Sequence, residues 1–423
     1  MFFTTKSQLL ECLLPKNDSE EPPSVYDCKI IDGAVMIHSL PRKSASTFQD
    51  YAQYIFNPYL CQQLRTSNRL DVVWDRFLQD SLKEATHEKR GTGSRLKVGN
   101  QTKIPAKWVE FLKVSENKEE LFAYLTAEAT KMALPPGKRL VMTGQDAESD
   151  LARCDHEEAD THIVVHILDA LQSGHSLIQV RSVDMDVVVI LLGVYSKLRS
   201  QHDDLQLWAA FGMGAHYTCV DIGSLSATLG DRAKALTAFH AFTGCDTTSG
   251  FHWSSKKKAW RVWDMLPELT DAFLAIAREP FLNVTTESPV FAVLERFVVL
   301  LYDSKLSTTS INEARMMMFK TKPRPLNKLP PTQNVLLHHT RRAVYQTGIW
   351  TMSTTPTRPT TCPLEFGWVR CDGGWQPLWM TQPEVSLACR EFIKCACAMP
   401  CKVCRCFRAN LKCTSLCKCA CQK

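Results

Sequence analysis

Seven acidic residues scattered over more than two hundred positions stand at element ends: Asp32, Asp75, Glu158, Asp160, Asp184, Asp186 and Asp246. Asp32 closes the β-branched run "CKIID" and Asp75 closes "LDVVWD". Glu158 and Asp160 open the helical pattern "HEEADTHIVVHILDALQSG", Asp184 and Asp186 form "VDMD", and Asp246 follows in "TGCD". In a wound parallel sheet, ligands gather outside the carboxyl ends of the strands, so these acids would meet along one edge. So much negative charge at short range cannot stay ionised without cations. An all-oxygen donor set suits Mg2+ or Mn2+. Two such ions about 4 Å apart would activate a water and stabilise the leaving oxygen of an in-line phosphodiester displacement.

Each of these residues also has a plainer reading. Asp32 before Gly33 suits a turn, and Asp155 with Glu158 suits a helix capping box. "KKK" at 256–258 reads as an exposed basic run. His38, His162 and His240 have apolar neighbours and read as core or rim residues rather than zinc ligands. Taken together, seven coincidences at element ends in one order favour a shared site.

A second chemistry lies at the end of the chain. Nine of the 18 cysteines fall in residues 395–423, spaced C-x-C-x3-C-x2-C-x-C-x6-C-x3-C-x-C-x-C. They are Cys395, Cys397, Cys401, Cys404, Cys406, Cys413, Cys417, Cys419 and Cys421. Thiols this dense cannot all pair locally without strain, whereas Zn2+ accepts close Cys spacing in a tetrahedral S4 site. Nine sulfurs serve three zinc ions if three of them bridge, and the metal would supply the folding free energy of so short a segment. The same stretch carries six basic residues and no acid, and removing it leaves 44 basic and 44 acidic residues, so the net charge of +6 resides there. The spacing resembles the tesmin-like CXC domain, whose members bind DNA. The resemblance implies nucleic-acid contacts by Arg405, Phe407, Arg408 and Lys418.

The elements that must position the acids alternate in type. "CKIIDG", "LDVVWD", "KRLVMTG", "SLIQV" and "LQLWAAFG" read as buried strands, with helical stretches between them. This is the pattern of an α/β fold, a mostly parallel wound sheet with helices on both faces. The expected organisation is a loose lead-in over 1–27, the α/β domain over 28–261 and a helical extension over 262–350. A Pro/Thr- and Trp-rich linker over 351–394 then precedes the zinc module at 395–423. The chain of 423 residues is 45% apolar and 22% charged, which fits a globular protein. Its longest apolar run, "VVVILLGVY", is too short to span a bilayer, so no membrane partner is expected.

The ordered segments "IIDGAVMIHSL", "VVWDRFLQDSLKEATHEKR", "EADTHI", "VDMDVVVI" and "TGCDT" resemble the flap-endonuclease-like branch of the PIN-domain nucleases. Carried over position by position, the resemblance implies metal ligation by Asp32, Asp75, Glu158, Asp160, Asp184, Asp186 and Asp246. It also implies contact of Lys83 and Arg90 with the scissile phosphate. The expectation is a metal-dependent nuclease acting on nucleic acid, DNA in the first instance, and therefore nuclear. The alternative is a non-catalytic DNA-binding or chromatin-associated protein with a nuclease-like fold.

Overall fold

The computed structural model describes residues 7–14, 21–42, 45–78, 81–82, 94–143, 151, 154–214, 217–252, 254–321, 328–359, 361–372, 374–382, 395 and 406. It divides into two compact units, Met1–Pro377 and Leu378–Lys423. Within the second unit Cys395 and Cys406 are buried. The other seven cysteines of the expected zinc cluster lie outside the described residues, as do Arg405, Phe407, Arg408 and Lys418.

Six strands build the main sheet in the order β3-β2-β1-β4-β5-β6. They are β1 Tyr26–Asp32, β2 Ser67–Val73, β3 Arg139–Met142, β4 Leu177–Ser182, β5 Gln206–Phe211 and β6 Thr218–Asp221. The first five are parallel, and β6 runs antiparallel to β5. Strand alternation divides the side chains between two cores. Cys28 and Ile30 enter one core with Ile178, Val180 and Leu207, while Ile31 enters the other with Leu70, Val72 and Met142. Helices therefore cover both faces, as the alternating sequence pattern predicts. The strand order reverses between β1 and β4, so the carboxyl ends of these two strands open the crevice in which such sheets hold ligands.

Several expectations are corrected by packing. The "DG" of residues 32–33 is not a turn but the start of the helix Gly33–Ser39, with Asp32 as its N-cap. Gly33 is needed because a Cβ there would lie 2.0 Å from the Trp74 ring. The run after "VDMD" is the helix Met185–Gln201, with every residue from Val187 to Leu192 buried. A helix that is apolar all round is one enclosed on all sides. It is wedged between the sheet and the outer helices, in the same core as the strands.

The lead-in contains the helix Ser7–Leu13, which buries Leu9, Leu10 and Leu13 in that core. The helices Glu268–Arg278, Pro289–Tyr302 and Gln333–Thr351 add Phe273, Phe297 and Trp350 to it, so the helical segment shares its apolar core with the sheet. The same holds for the Trp-rich stretch. Phe366 and Trp368 are buried there, and β7 Trp368–Cys371 pairs with β8 Gly374–Pro377 as a hairpin.

The sheet also buries charge. Arg69 is fully enclosed and holds Asp71 by two N–H···O bonds of 2.7 Å, with Asp169 at 2.5 Å. His166 Nδ1 lies 2.7 Å from the second Asp71 oxygen. No helix among the described residues is long and apolar enough to cross a membrane.

Candidate metal centre

The acids at the sheet edge are built from strand ends and helix starts. Asp32 ends β1, and its Oδ1 accepts the Val35 N–H at 3.2 Å as helix N-cap. Asp184 lies two residues beyond β4 and N-caps the helix Met185–Gln201, accepting the Asp186 N–H at 3.0 Å. Ser182, the last residue of β4, ties the two together. Its hydroxyl donates to Asp32 Oδ2 at 3.2 Å and accepts the Asp184 N–H at 3.0 Å.

On the β2 side, Asp75 follows the strand by two residues and accepts the Ala159 N–H at 3.0 Å. Asx residues suit such places because a short side-chain oxygen satisfies the unpaired N–H groups of a helix start. The bond fastens Asp75 to the first turn of the helix Ala159–Gln172, which carries Asp160 and is preceded by Glu158 as N-cap. The expected Asp155–Glu158 capping box does not form. Glu158 makes no side-chain cap, and Asp155 instead accepts the Arg358 N–H at 2.8 Å.

Three carboxylates come together at this edge. One oxygen each of Asp160, Asp184 and Asp186 lies within 4.8 Å of the other two. Around an octahedral Mg2+ or Mn2+, adjacent oxygens stand about 3 Å apart and opposite ones about 4.2 Å. The three donors therefore fit one hard cation with small side-chain adjustments, and an all-carboxylate set disfavours soft metals.

The electrostatics extend the group. Burial pushes the Asp32 carboxyl up to about 7, assisted by the charges of Asp75 and Asp184 and opposed by the Val35 and Ser182 hydrogen bonds. Asp160 is raised well above the ordinary carboxylate range by burial, then by the charges of Asp184, Glu158, Asp186 and Asp32. Six of the seven expected ligands thus act on one another at one edge.

Asp246 is not among the three carboxylates whose oxygens meet. It sits half-buried in the loop after the helix Asp231–Thr243. That loop is closed tightly: Cys245 N donates to the Thr248 carbonyl at 3.1 Å, and Thr247 Oγ1 donates to Gln346 at 2.8 Å. Gly244, at φ 110°, permits the closure, since a Cβ there would stand 2.8 Å from the Gly250 Cα. Lys83 and Arg90 lie outside the described residues.

Two contributors escaped the sequence reading. Ser182 is a strand-end serine two residues before an acid, a signal too common to single out. His240, read as a core residue, is buried as expected, yet its Nε2 lies 2.8 Å from Asp186 Oδ1. Its place in the last turn before "TGCD" was the available hint. Lys256 departs from the reading of an exposed basic run: it is fully buried and donates to the His240 carbonyl at 2.9 Å and to Thr243 Oγ1 at 2.7 Å. Carbonyls at a helix C-terminus attract such a cation. No protein-family model, curated protein or solved structure matches this chain.

Proposed function

We propose that this protein is a divalent-metal-dependent nuclease that hydrolyses phosphodiester bonds of nucleic acid, with DNA as the first candidate substrate. The observation that carries the reading is the meeting of Asp160, Asp184 and Asp186 at the carboxyl edge of a parallel sheet, within the field of Asp32, Asp75 and Glu158. A phosphodiester is itself an anion, and this edge would repel it unless cations are bound first.

Asp160, Asp184 and Asp186 would hold one Mg2+ or Mn2+, and Asp32, Asp75 and Glu158 supply the charge that favours a second. Bound there, the metal supplies an activated water and charge neutralisation at the leaving oxygen. The chain's own part is to hold the carboxylates ready: Ser182 spaces Asp32 from Asp184, and the Ala159 N–H keeps Asp75 beside the Asp160 helix. The resemblance to flap-endonuclease-like enzymes adds Asp246 as a ligand and Lys83 and Arg90 as groups that stabilise the phosphate charge. In the tail, nine cysteines would hold three Zn2+, with Arg405, Phe407, Arg408 and Lys418 gripping nucleic acid. A DNA substrate would place the protein in the nucleus.

The test is direct. Purified full-length protein is offered labelled single-stranded, duplex and flap DNA with Mg2+ or Mn2+. Cleavage that disappears in Asp184→Asn while DNA binding persists supports the nuclease. Binding without any metal-dependent cleavage leaves the non-catalytic DNA-binding protein.

A further inference from the structure

His240 is buried and within hydrogen-bond distance of a member of the acidic group. Its ring is held on more than one side. Nε2 lies 2.8 Å from Asp186 Oδ1, and the imidazole stacks on Trp350 with centroids 5.8 Å apart and planes inclined by 30°. Its main chain is held as well, because the buried Lys256 ammonium donates to the His240 carbonyl and to Thr243 in the same helix turn. Asp186 itself lies in the first turn of a helix enclosed by the core, so its backbone has little room to adjust. The carboxylate plane is then set by what its oxygens bond.

We propose that His240 is the positioning residue of the metal centre, its imidazole N–H fixing Asp186 in the orientation that brings its oxygen to those of Asp160 and Asp184. The inference rests on the metal-binding reading above and adds the group that shapes the site. An imidazole can orient a carboxylate as a neutral donor and so leave its negative charge available to a cation. A lysine or arginine at the same distance would neutralise it. Outer partners of this kind commonly change metal affinity when removed.

The experiment uses the full-length protein as purified, without chelator, titrated with Mn2+ while free Mn2+ is counted by electron paramagnetic resonance. The cysteine-rich tail does not compete, since thiolates favour softer metals. His240→Leu should weaken Mn2+ binding about 10- to 100-fold, and His240→Gln, whose amide nitrogen falls near Nε2, should stay within about threefold of wild type. Both should melt near the wild-type temperature in metal-free buffer. Equal binding by His240→Leu and wild type overturns the assignment, and so does equal loss in the Leu and Gln variants, which would mean that packing rather than the donor matters. If His240→Leu does not fold, His240→Asn takes its place. It keeps an amide too short to reach Asp186 and should bind as weakly as expected for Leu, with wild-type affinity counting against the proposal. A folded wild type that takes up no Mn2+ removes the metal reading and this inference with it.

Discussion

Asp32→Asn isolates the cost of assembling this site. A carboxyl that ordinarily titrates near 3.8 is pushed up to about 7 in the fold, chiefly by burial and then by the charges of Asp75 and Asp184. At about 1.4 kcal/mol per pH unit, the ionised, metal-free fold pays roughly 4 kcal/mol for it at pH 8. Asparagine keeps an acceptor for the Val35 N–H and serves as well at an N-cap, so the substitution removes the charge while keeping the cap. In metal-free buffer at pH 8 the variant should therefore be more stable, by up to about 4 kcal/mol, or on the order of 5–10 °C in melting temperature.

The pH dependence has a fixed sign. Between about pH 4 and 7 the folded state keeps a proton that the unfolded chain has lost, so wild-type stability from this group rises as pH falls. The gap between variant and wild type should shrink to about 2 kcal/mol at pH 5 and below about 1 kcal/mol at pH 4. Mn2+ should reverse the ranking at pH 8 by stabilising wild type far more than the variant. Melting curves with and without Mn2+ at the three pH values decide the matter. A variant less stable than wild type in metal-free buffer at pH 8, or a gap that does not narrow on acidification, would refute the electrostatic account.

Two further outcomes are expected. Deleting residues 395–423 removes six basic side chains, so DNA binding should weaken and the slope of log affinity against log salt should flatten by up to about 5; unchanged binding at low salt would remove the tail from the interface. His339 is held down to about 4 by burial, then by Arg342, while its Nε2 bonds the Phe242 carbonyl at 2.7 Å. The unfolded chain binds this proton first, so stability should fall by about 3 kcal/mol as pH drops from 6.5 to 4. His339→Gln, which keeps a donor but cannot titrate, should lose that part of the decline in urea denaturation, and an identical pH profile would show that His339 does not titrate as described.

Strands β1, β2 and β4 are legible because they are short, carry β-branched residues and end at or within two residues of an acid. Ile30 and Ile31 serve opposite cores, which is what a parallel strand buried on both faces requires. What misled the reading was local composition without tertiary context. "DG" ordinarily makes a turn, but here Trp74 packs where a Cβ would stand and the chain passes straight into a helix. The polar lead-in over 1–27 and the Pro/Thr-rich linker over 351–394 read as loose segments, yet Leu9 in the first and Phe366 in the second enter one core. Local charge was no better a guide for Lys256, whose neighbours Lys257 and Lys258 are not buried while it reaches the end of a helix. For the acids, strand-end position is informative for Asp32, Asp75 and Asp184, whereas Asp186 lies one residue into the helix that Asp184 caps. The partners that set their orientation, Ser182 and His240, come from residue types too frequent to stand out.

Position alone does not separate a structural carboxylate from a candidate metal ligand, and two buried aspartates of this sheet differ in how they are held. Asp71 and Asp32 are buried aspartates on adjacent strands. Burial pushes Asp71 upward too, but hydrogen bonds from His166 and Arg69 outweigh it and hold its carboxyl below the ordinary value. The fold has already supplied its counter-charge. Among the described residues, Asp32 is given a backbone N–H and a serine hydroxyl, which orient it without neutralising it, and the charges that act on it most are those of Asp75 and Asp184. Stability alone would favour an arginine there, as it has beside Asp71. Among the described residues the groups that bear most on Asp32 leave its charge uncompensated, which makes sense when the cation comes from solution, and this difference between two neighbouring aspartates adds to the meeting of Asp160, Asp184 and Asp186 in support of the metal-centre reading.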